Sequence, residues 1–465
     1  MSKRAFQPWI PVALGALVLA TLTALVGLHV AAAEPNAAAG ASMLGRGASV
    51  FSLGPDVTVR NLTETTNWGS AGGIRAYSVG TDSCNVGTVP VNWCDNSGGC
   101  GPPGPGHLND DQHPVIAQNL YRLANGRFEQ IGMSWLKHGF LSLNTPVGAS
   151  CQGSDGAGNP LSCQQPPLGG DQLGVGCTDI YGSSLNGTGG PGPLGRRSEV
   201  NATNGTYPFP TDPTGTGGTI GKRIQVVETD LTVPGARYFV EGQYVVDSDA
   251  QAGNGLNNAS YREVTVNAGT FNLSFATATV REQAAIHAWQ AIDPVVEIVD
   301  ADVLSSIIER FHAARRVTDL GGGQWHYEFA VHNMNSDRSA GSFTIDFGTA
   351  TTFTGVGFHD VDHHSGEPYD TTDWTSTVDM NAGTVRWSTD DFALNANANA
   401  LRWGTTFSFW FDANQPPTGA SYTLGLFKPG VPAAIDIPFA GSVGVAIFAD
   451  GFETGDTSAW SVTVP

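Results

Sequence analysis

Residues 325–332 read Trp-His-Tyr-Glu-Phe-Ala-Val-His, with an apolar side chain at every odd position. A period of two marks a strand with one face in a core, so His326, Glu328 and His332 share the opposite face. Residues 311–320, immediately upstream, end at Gly321-Gly322-Gly323, a loop short enough for a hairpin. Pairing Leu320 with Gln324 sets Arg316 opposite Glu328 and His312 opposite His332. That register predicts a cross-strand ion pair and two histidines on one polar, solvated sheet face, with a ligand or metal site as the alternative.

Further strands are expected at 342–347, 354–358, 384–389, 401–411 and 422–427, with Trp403, Phe407, Phe409 and Phe411 turned inward. Only 305–314 invites a helical reading, and a short turn of helix is the most it supports. With 60 Gly and 27 Pro in 465 residues and only 14% charged residues, the chain suits short strands joined by turns. The expected fold is all-β: an antiparallel β-sandwich with a loop-rich, disulfide-bearing N-terminal part.

The N-terminus carries an export signal. Lys3 and Arg4 precede an apolar run over 12–30 that closes on Ala31-Ala32-Ala33 before Glu34. This is the layout of a cleaved signal peptide (1–33), and Pro11, the glycines and His29 argue against a retained anchor. A disordered leader is expected over 34–54, a Cys- and Gly-rich β region over 55–200, a linker over 201–221, a β-sandwich domain over 222–432 and a tail over 433–465. Residues 183–219, around Arg196 and Arg197, read as a long surface connection. No later segment is apolar enough to span a membrane, so the expected location is secreted or cell-surface. The net charge of -20, without acidic blocks, makes nucleic acid and anionic lipid poor partners.

Export makes disulfides the first reading of Cys84, Cys94, Cys100, Cys151, Cys163 and Cys177. Fifteen pairings are open to six cysteines. Cys94–Cys100 and Cys151–Cys163 would close the shortest loops. A metal site is the weaker alternative, because no Cys-x-x-Cys pair occurs.

Two clusters carry chemistry. The first lies in the stretch 113–140, where Asn125-Gly126 between apolar runs signals a hairpin. His113, Tyr121, Lys137 and His138 there supply the residue types needed to remove a proton beside a uronic acid carboxylate, with structural packing as the bland alternative. The second is the run His359-Asp360-Val361-Asp362-His363-His364-Ser365-Gly366-Glu367. Its imidazoles and carboxylates suit a divalent cation such as zinc, copper or calcium, and His359, Asp360, Asp362, His363 and His364 are the candidate ligands. The spacing matches neither His-Glu-x-x-His nor a calcium loop, and a solvated loop or internal hydrogen-bond cluster is the alternative. The chain lacks the Gly-x-Ser-x-Gly elbow and any phosphate loop.

The segments HPVIAQNLYRLANGRFEQIGMSWLKHGF, GRRSEVNATNGTYPFP, VTDLGGGQWHYEFAVHNMNSDRSAGSF, GFHDVDHHSGEPYDTTDW and NANALRWGTTFSFWFDANQPP resemble those of a group of large secreted β-rich proteins of environmental bacteria. The likeness runs over roughly 75–430. It implies export and a β-rich fold, and no mechanism. The ending DGFETGDTSAWS is similar to a short tail on many otherwise unrelated exported bacterial proteins.

Two classes of function follow. One is a noncatalytic extracellular protein, structural or glycan-binding, whose partner is a polysaccharide or cell-surface component; exposed tryptophans such as Trp374 and Trp387 would stack on sugars. The other is a secreted polysaccharide-active lyase or hydrolase, which requires His113, Lys137 and His138 to share a cleft with the distant carboxylates or imidazoles.

Overall fold

The computed structural model describes residues 52–93, 112–188, 194–211 and 217–442. The expected signal peptide, all but the last residues of the expected leader, Cys94, Cys100 and the residues from 443 onward lie outside the described residues. The rest is all-β, with antiparallel pairing throughout and three short helices, Ser183–Thr188, Asp247–Gln251 and His287–Ile292. Among the described residues no helix is long and apolar enough to cross a membrane.

The first sheet is the largest. Its main path runs Val57–Ala71, Ile74–Asn85, Ile224–Val227, Arg127–Met133, Val115–Ala124, Arg237–Val245, Ala259–Val266 and Leu273–Phe275. The boundary expected at 222 therefore runs through this sheet, because Ile224–Val227 is inserted between two earlier strands. The sheet curls until its ends meet: Ser260 Oγ donates to the Val59 carbonyl and Thr65 Oγ1 to that of Leu273. Val59, Leu62, Tyr77, Val240, Tyr244 and Val264 fill the resulting core. The Asn125-Gly126 turn forms as expected, with φ of 53° and 83°, values that suit a tight hairpin and that asparagine and glycine tolerate best.

The remaining strands form a sandwich. The middle sheet has the order Glu297–Val303, Glu309–Gly321, Gln324–Asn333, Thr406–Ala413, Phe353–His359; the outer sheet runs Thr375–Asp379, Thr384–Ser388, Ala340–Asp346, Ser421–Leu426, Ala434–Asp436. Phe329, Val331, Phe407, Phe409 and Phe411 meet Phe343, Ile345, Trp387 and Leu424 in an aromatic core. This sandwich continues into the stretch read as a tail, through Ala434–Asp436 and buried Ile437 and Phe439. Residues 309–314, where a turn of helix was considered, are strand. Trp403 packs in a separate core beside Val200 and Tyr207.

The middle sheet is covered on both sides. Ala313 and Phe329 face the sandwich core, while Ala314 and Ala330 on the alternate face pack with Tyr121, Phe128, Phe239 and Trp289. The polar face expected to meet solvent is thus an interlayer, and His312 and His332 are both buried. The register places His312 opposite His332 and Arg316 opposite Glu328, as the alternation predicts. Gln324 pairs with Gly321, rather than Leu320, across an irregularity next to the turn. The expected ion pair does not form: Arg316 Nε binds Asp293 at 2.7 Å, and Glu328 is taken by Arg127 from the first sheet. Covering the face brought a better-placed arginine to Glu328.

The disulfides join Cys84 to Cys151 and Cys163 to Cys177. The short Cys151–Cys163 closure is replaced because strand Thr178–Tyr181 pairs with Ile74–Asn85, fixing where Cys177 and Cys84 lie.

Candidate functional site

Strand Phe353–His359 pairs with Thr406–Ala413 only as far as His359. There the chain leaves the middle sheet and crosses toward the first sheet, forming one wall of a cleft of about 220 Å³. Gln130 and Ile131 from one strand, Gln225 and Val227 from its neighbour, and Ile74 and Asp230 nearby make the other wall. His359, Asp360, Val361, Asp362 and His363 face them.

Asp360 is the best-defined group in the cleft. Asn399 donates its amide to Asp360 Oδ2. Burial pushes this carboxyl up to about 6, and the nearby Asp373 and Asp362 act in the same direction. His359 Nε2 is buried without a hydrogen-bond partner among the described residues. Asp362 is exposed at the mouth. His363 lies deeper, its ring 4.9 Å from that of Tyr369, and burial, aided by Arg402, holds it down at about 3. His364 turns elsewhere: its Nδ1 donates to the Ser365 carbonyl at 2.6 Å, its ring packs 5.9 Å from Trp135, and burial lowers it to about 4. Four of the five candidate metal ligands therefore line one cleft. Among the described residues, however, no three His, Cys, Asp or Glu side chains are grouped so as to hold a metal ion.

The other cluster is split. His113 Nε2 and His138 Nδ1 are 2.8 Å apart, both rings are fully buried, and Tyr207 and Phe209 pack on them. Burial holds His138 well below the usual imidazole range, with His113 and Lys137 adding to it. Lys137 is also fully buried, with Nζ 5.0 Å from the centre of the Phe140 ring. Tyr121 lies at the far end of its strand and donates to Glu241 Oε1 at 2.8 Å. None of these four residues lines the cleft. The tryptophans expected to stack on sugars are buried too: Trp374 and Trp387 belong to the sandwich core, drawn in by Phe358, Phe343 and Phe409.

The principal polar residue missed by sequence reasoning is Arg197. The stretch read as a surface connection carries it into the centre of the molecule, where it is 4% exposed. Its Nε donates to the Ser134 carbonyl at 2.7 Å, and Nη2 to the Gln118 carbonyl and Asn119 Oδ1, each at 2.8 Å. Glu367, from the same run as the cleft residues, accepts the Arg197 backbone N–H at 2.7 Å. Arg197 thereby fixes the segment that carries His359 to His363 against the first sheet. The adjacent Arg196-Arg197 pair in a chain poor in basic residues was the available signal.

No protein-family model matches the chain, and no curated protein matches it significantly.

Proposed function

We propose that the protein is exported and that its cleft binds an uncharged, hydroxyl-rich sugar unit of an extracellular glycan. The observation that carries this reading is the composition of the cleft: carboxylates of Asp230, Asp360 and Asp362, amides of Gln130 and Gln225, and no lysine or arginine. The carboxylates accept from sugar hydroxyls, while the Gln130 amide is held by Gly404 and Thr406 and that of Gln225 by Ile220 and Ser365, which fixes the facing wall. Ile74, Ile131, Val227 and Val361 offer apolar surface to the C–H face of a ring. A uronic acid would meet the carboxylates of Asp360 and Asp362 with no lysine or arginine lining the cleft, Asp230 being already paired with Arg122 at 2.8 Å, which weighs against the lyase chemistry considered from the sequence. The volume suits one ring rather than a chain. Export is supported by the N-terminal signal and by disulfides, which persist in oxidising compartments.

Calorimetric titration with neutral and uronic oligosaccharides tests the reading. Neutral sugars are expected to bind, and Asp360→Asn to weaken them about tenfold, the loss of one charge-assisted hydrogen bond. Binding of uronates alone, or neutral binding untouched by Asp360→Asn, overturns it.

Asp360 favours a second reading. A carboxyl that stays protonated up to about 6 beside other carboxylates is suited to act as the general acid of a glycoside hydrolase. Release of reducing ends, falling above pH ~6 and lost in Asp360→Asn, would assign catalysis; tight binding without release leaves a binding protein.

A further inference from the structure

His363 lines the cleft and also a second, much smaller pocket of about 10 Å³. Two arginines, Arg197 and Arg402, line that pocket with it, together with Glu367 and Tyr369. Arg402 is 5% exposed, and its guanidinium lies 4.1 Å from the centre of the Tyr369 ring and 4.6 Å from that of Phe427. Its Nη2 donates to the carbonyls of Ala396 and Ala398 at 3.0 and 2.9 Å. Burial works against its charge, opposed by Tyr369 and by Asp337, and the Asp337 carboxylate is itself bound to Lys428 at 2.7 Å. Nε of Arg402 and Nε2 of His363 are both buried without a hydrogen-bond partner among the described residues. Arg197 is closer to balance, because Glu367 and Glu241 act on it. The oxygens of Glu367 accept the backbone N–H groups of Arg197 and Ser198, at 2.7 and 3.3 Å. The pocket thus sets two guanidinium groups against one carboxylate, and Arg402 is the cation left over.

We infer that this pocket binds a single halide ion, chloride, held by Arg402 Nε and His363 Nε2. A buried charge without a counter-ion is costly, and carbonyls and ring faces offer it only partial charges. A water in the pocket would satisfy the two orphaned nitrogens and leave the cation unbalanced. Chloride does both, since the guanidinium Nε–H always donates and a neutral imidazole donates from Nε2 in one of its tautomers. A space of about one water admits a monatomic ion and excludes sulfate, phosphate and carboxylates.

The position gives the ion a structural task. His363, Glu367 and Tyr369 belong to the run that leaves strand Phe353–His359 and builds one wall of the cleft, whereas Arg402 leads into strand Thr406–Ala413 of the middle sheet. One ion would therefore pin the cleft wall to the sheet, as Arg197 and Glu367 already pin it on the other side.

The test is thermal unfolding of the full chain at neutral pH and one fixed ionic strength, in sodium chloride, sodium bromide or sodium methanesulfonate, whose anion is too large for the pocket. Chloride and bromide are expected to raise Tm by about 2 °C over methanesulfonate. Arg402→Met keeps an unbranched apolar stem against Tyr369 and Phe427, removes the charge, and is expected to abolish that difference. If the variant does not fold, crystals of the wild type grown in bromide decide, through an anomalous bromine peak in contact with Arg402 and His363. Equal Tm in halide and methanesulfonate, a halide shift retained in Arg402→Met, or bromide crystals with no peak in the pocket overturns the assignment. In those cases a water fills the pocket, and the rings and carbonyls around Arg402 carry its charge alone.

Discussion

Arg127 and Glu328 are joined by two parallel hydrogen bonds, Nε to Oε2 at 2.7 Å and Nη2 to Oε1 at 2.8 Å, which rivet the first sheet to the middle sheet. The guanidinium also lies 3.3 Å over the Trp410 ring. Arg316 faces Glu328 across the hairpin and instead binds Asp293. Removing Arg127 leaves the largely buried Glu328 carboxylate to His326, whose Nε2 lies 2.9 Å from Oε1. Arg127→Ala is therefore expected to cost about 2 kcal/mol, whereas Arg316→Ala, breaking a half-exposed pair, costs below about 1 kcal/mol. Urea denaturation of the two variants checks the ranking; equal losses would contradict it.

The same pair marks how far the sequence could be read. Alternation and a glycine turn are local, so they set the pairing of residues 312–319 with 325–332 and the all-β class. Whether a polar face meets solvent or another layer depends on strands two hundred residues away, such as Arg127–Met133. For that reason the sequence points His312, His332 and Glu328 toward solvent and puts Arg197 in a surface connection. The run 359–364 was legible as a cluster, and four of its members do share a cleft. The separation of His113 and His138 from Tyr121 follows from positions at opposite ends of one strand region.

Arg197 and Gly404 meet in the centre of the molecule. Gly404 has φ of +70°, its carbonyl accepts Arg197 Nη1 at 3.2 Å, and a Cβ there would lie 2.8 Å from that nitrogen. Gly404→Ala is expected to cost about 2 kcal/mol through backbone strain and displacement of the guanidinium. Arg197→Lys should not be conservative, since an ammonium lacks the fork that reaches Ser134, Gln118, Asn119 and Gly404, and about 3 kcal/mol is expected. Chemical denaturation measures both, and a lysine variant as stable as the wild type would refute the role given to the fork.

The two disulfides among the described residues should differ in worth. Cys84–Cys151 spans 67 residues and Cys163–Cys177 spans 14. Loop-closure entropy then gives about 4 kcal/mol for the former and about 3 kcal/mol for the latter. Paired Cys→Ala variants, compared by Tm, are expected to rank in that order. A larger loss from the shorter loop would place the stabilisation in local packing around Cys177 instead.

Stability should depend on pH through two opposed sets of buried groups. Burial holds His332 well below the usual imidazole range, with His312, His287 and Arg197 acting the same way, and lowers His287 to about 4. In the unfolded chain these rings take a proton near pH ~6.5, which the native state refuses; stability is therefore lost as pH falls from there toward 4. Burial raises Asp179 to about 7 and Asp360 to about 6, so the native state binds more protons than the unfolded chain above pH ~3.9. Their contribution is present at low pH and is lost as pH rises through those values. Single variants separate the two limbs. His332→Gln is expected to flatten the decline in Tm between pH ~6.5 and ~4, and Asp179→Asn, which keeps an acceptor for the Leu143 N–H, to gain stability over the wild type between pH ~5 and ~8. An acid limb unchanged in His332→Gln would show that other groups carry it, and an Asp179→Asn difference independent of pH would show that the carboxyl does not ionise in that window.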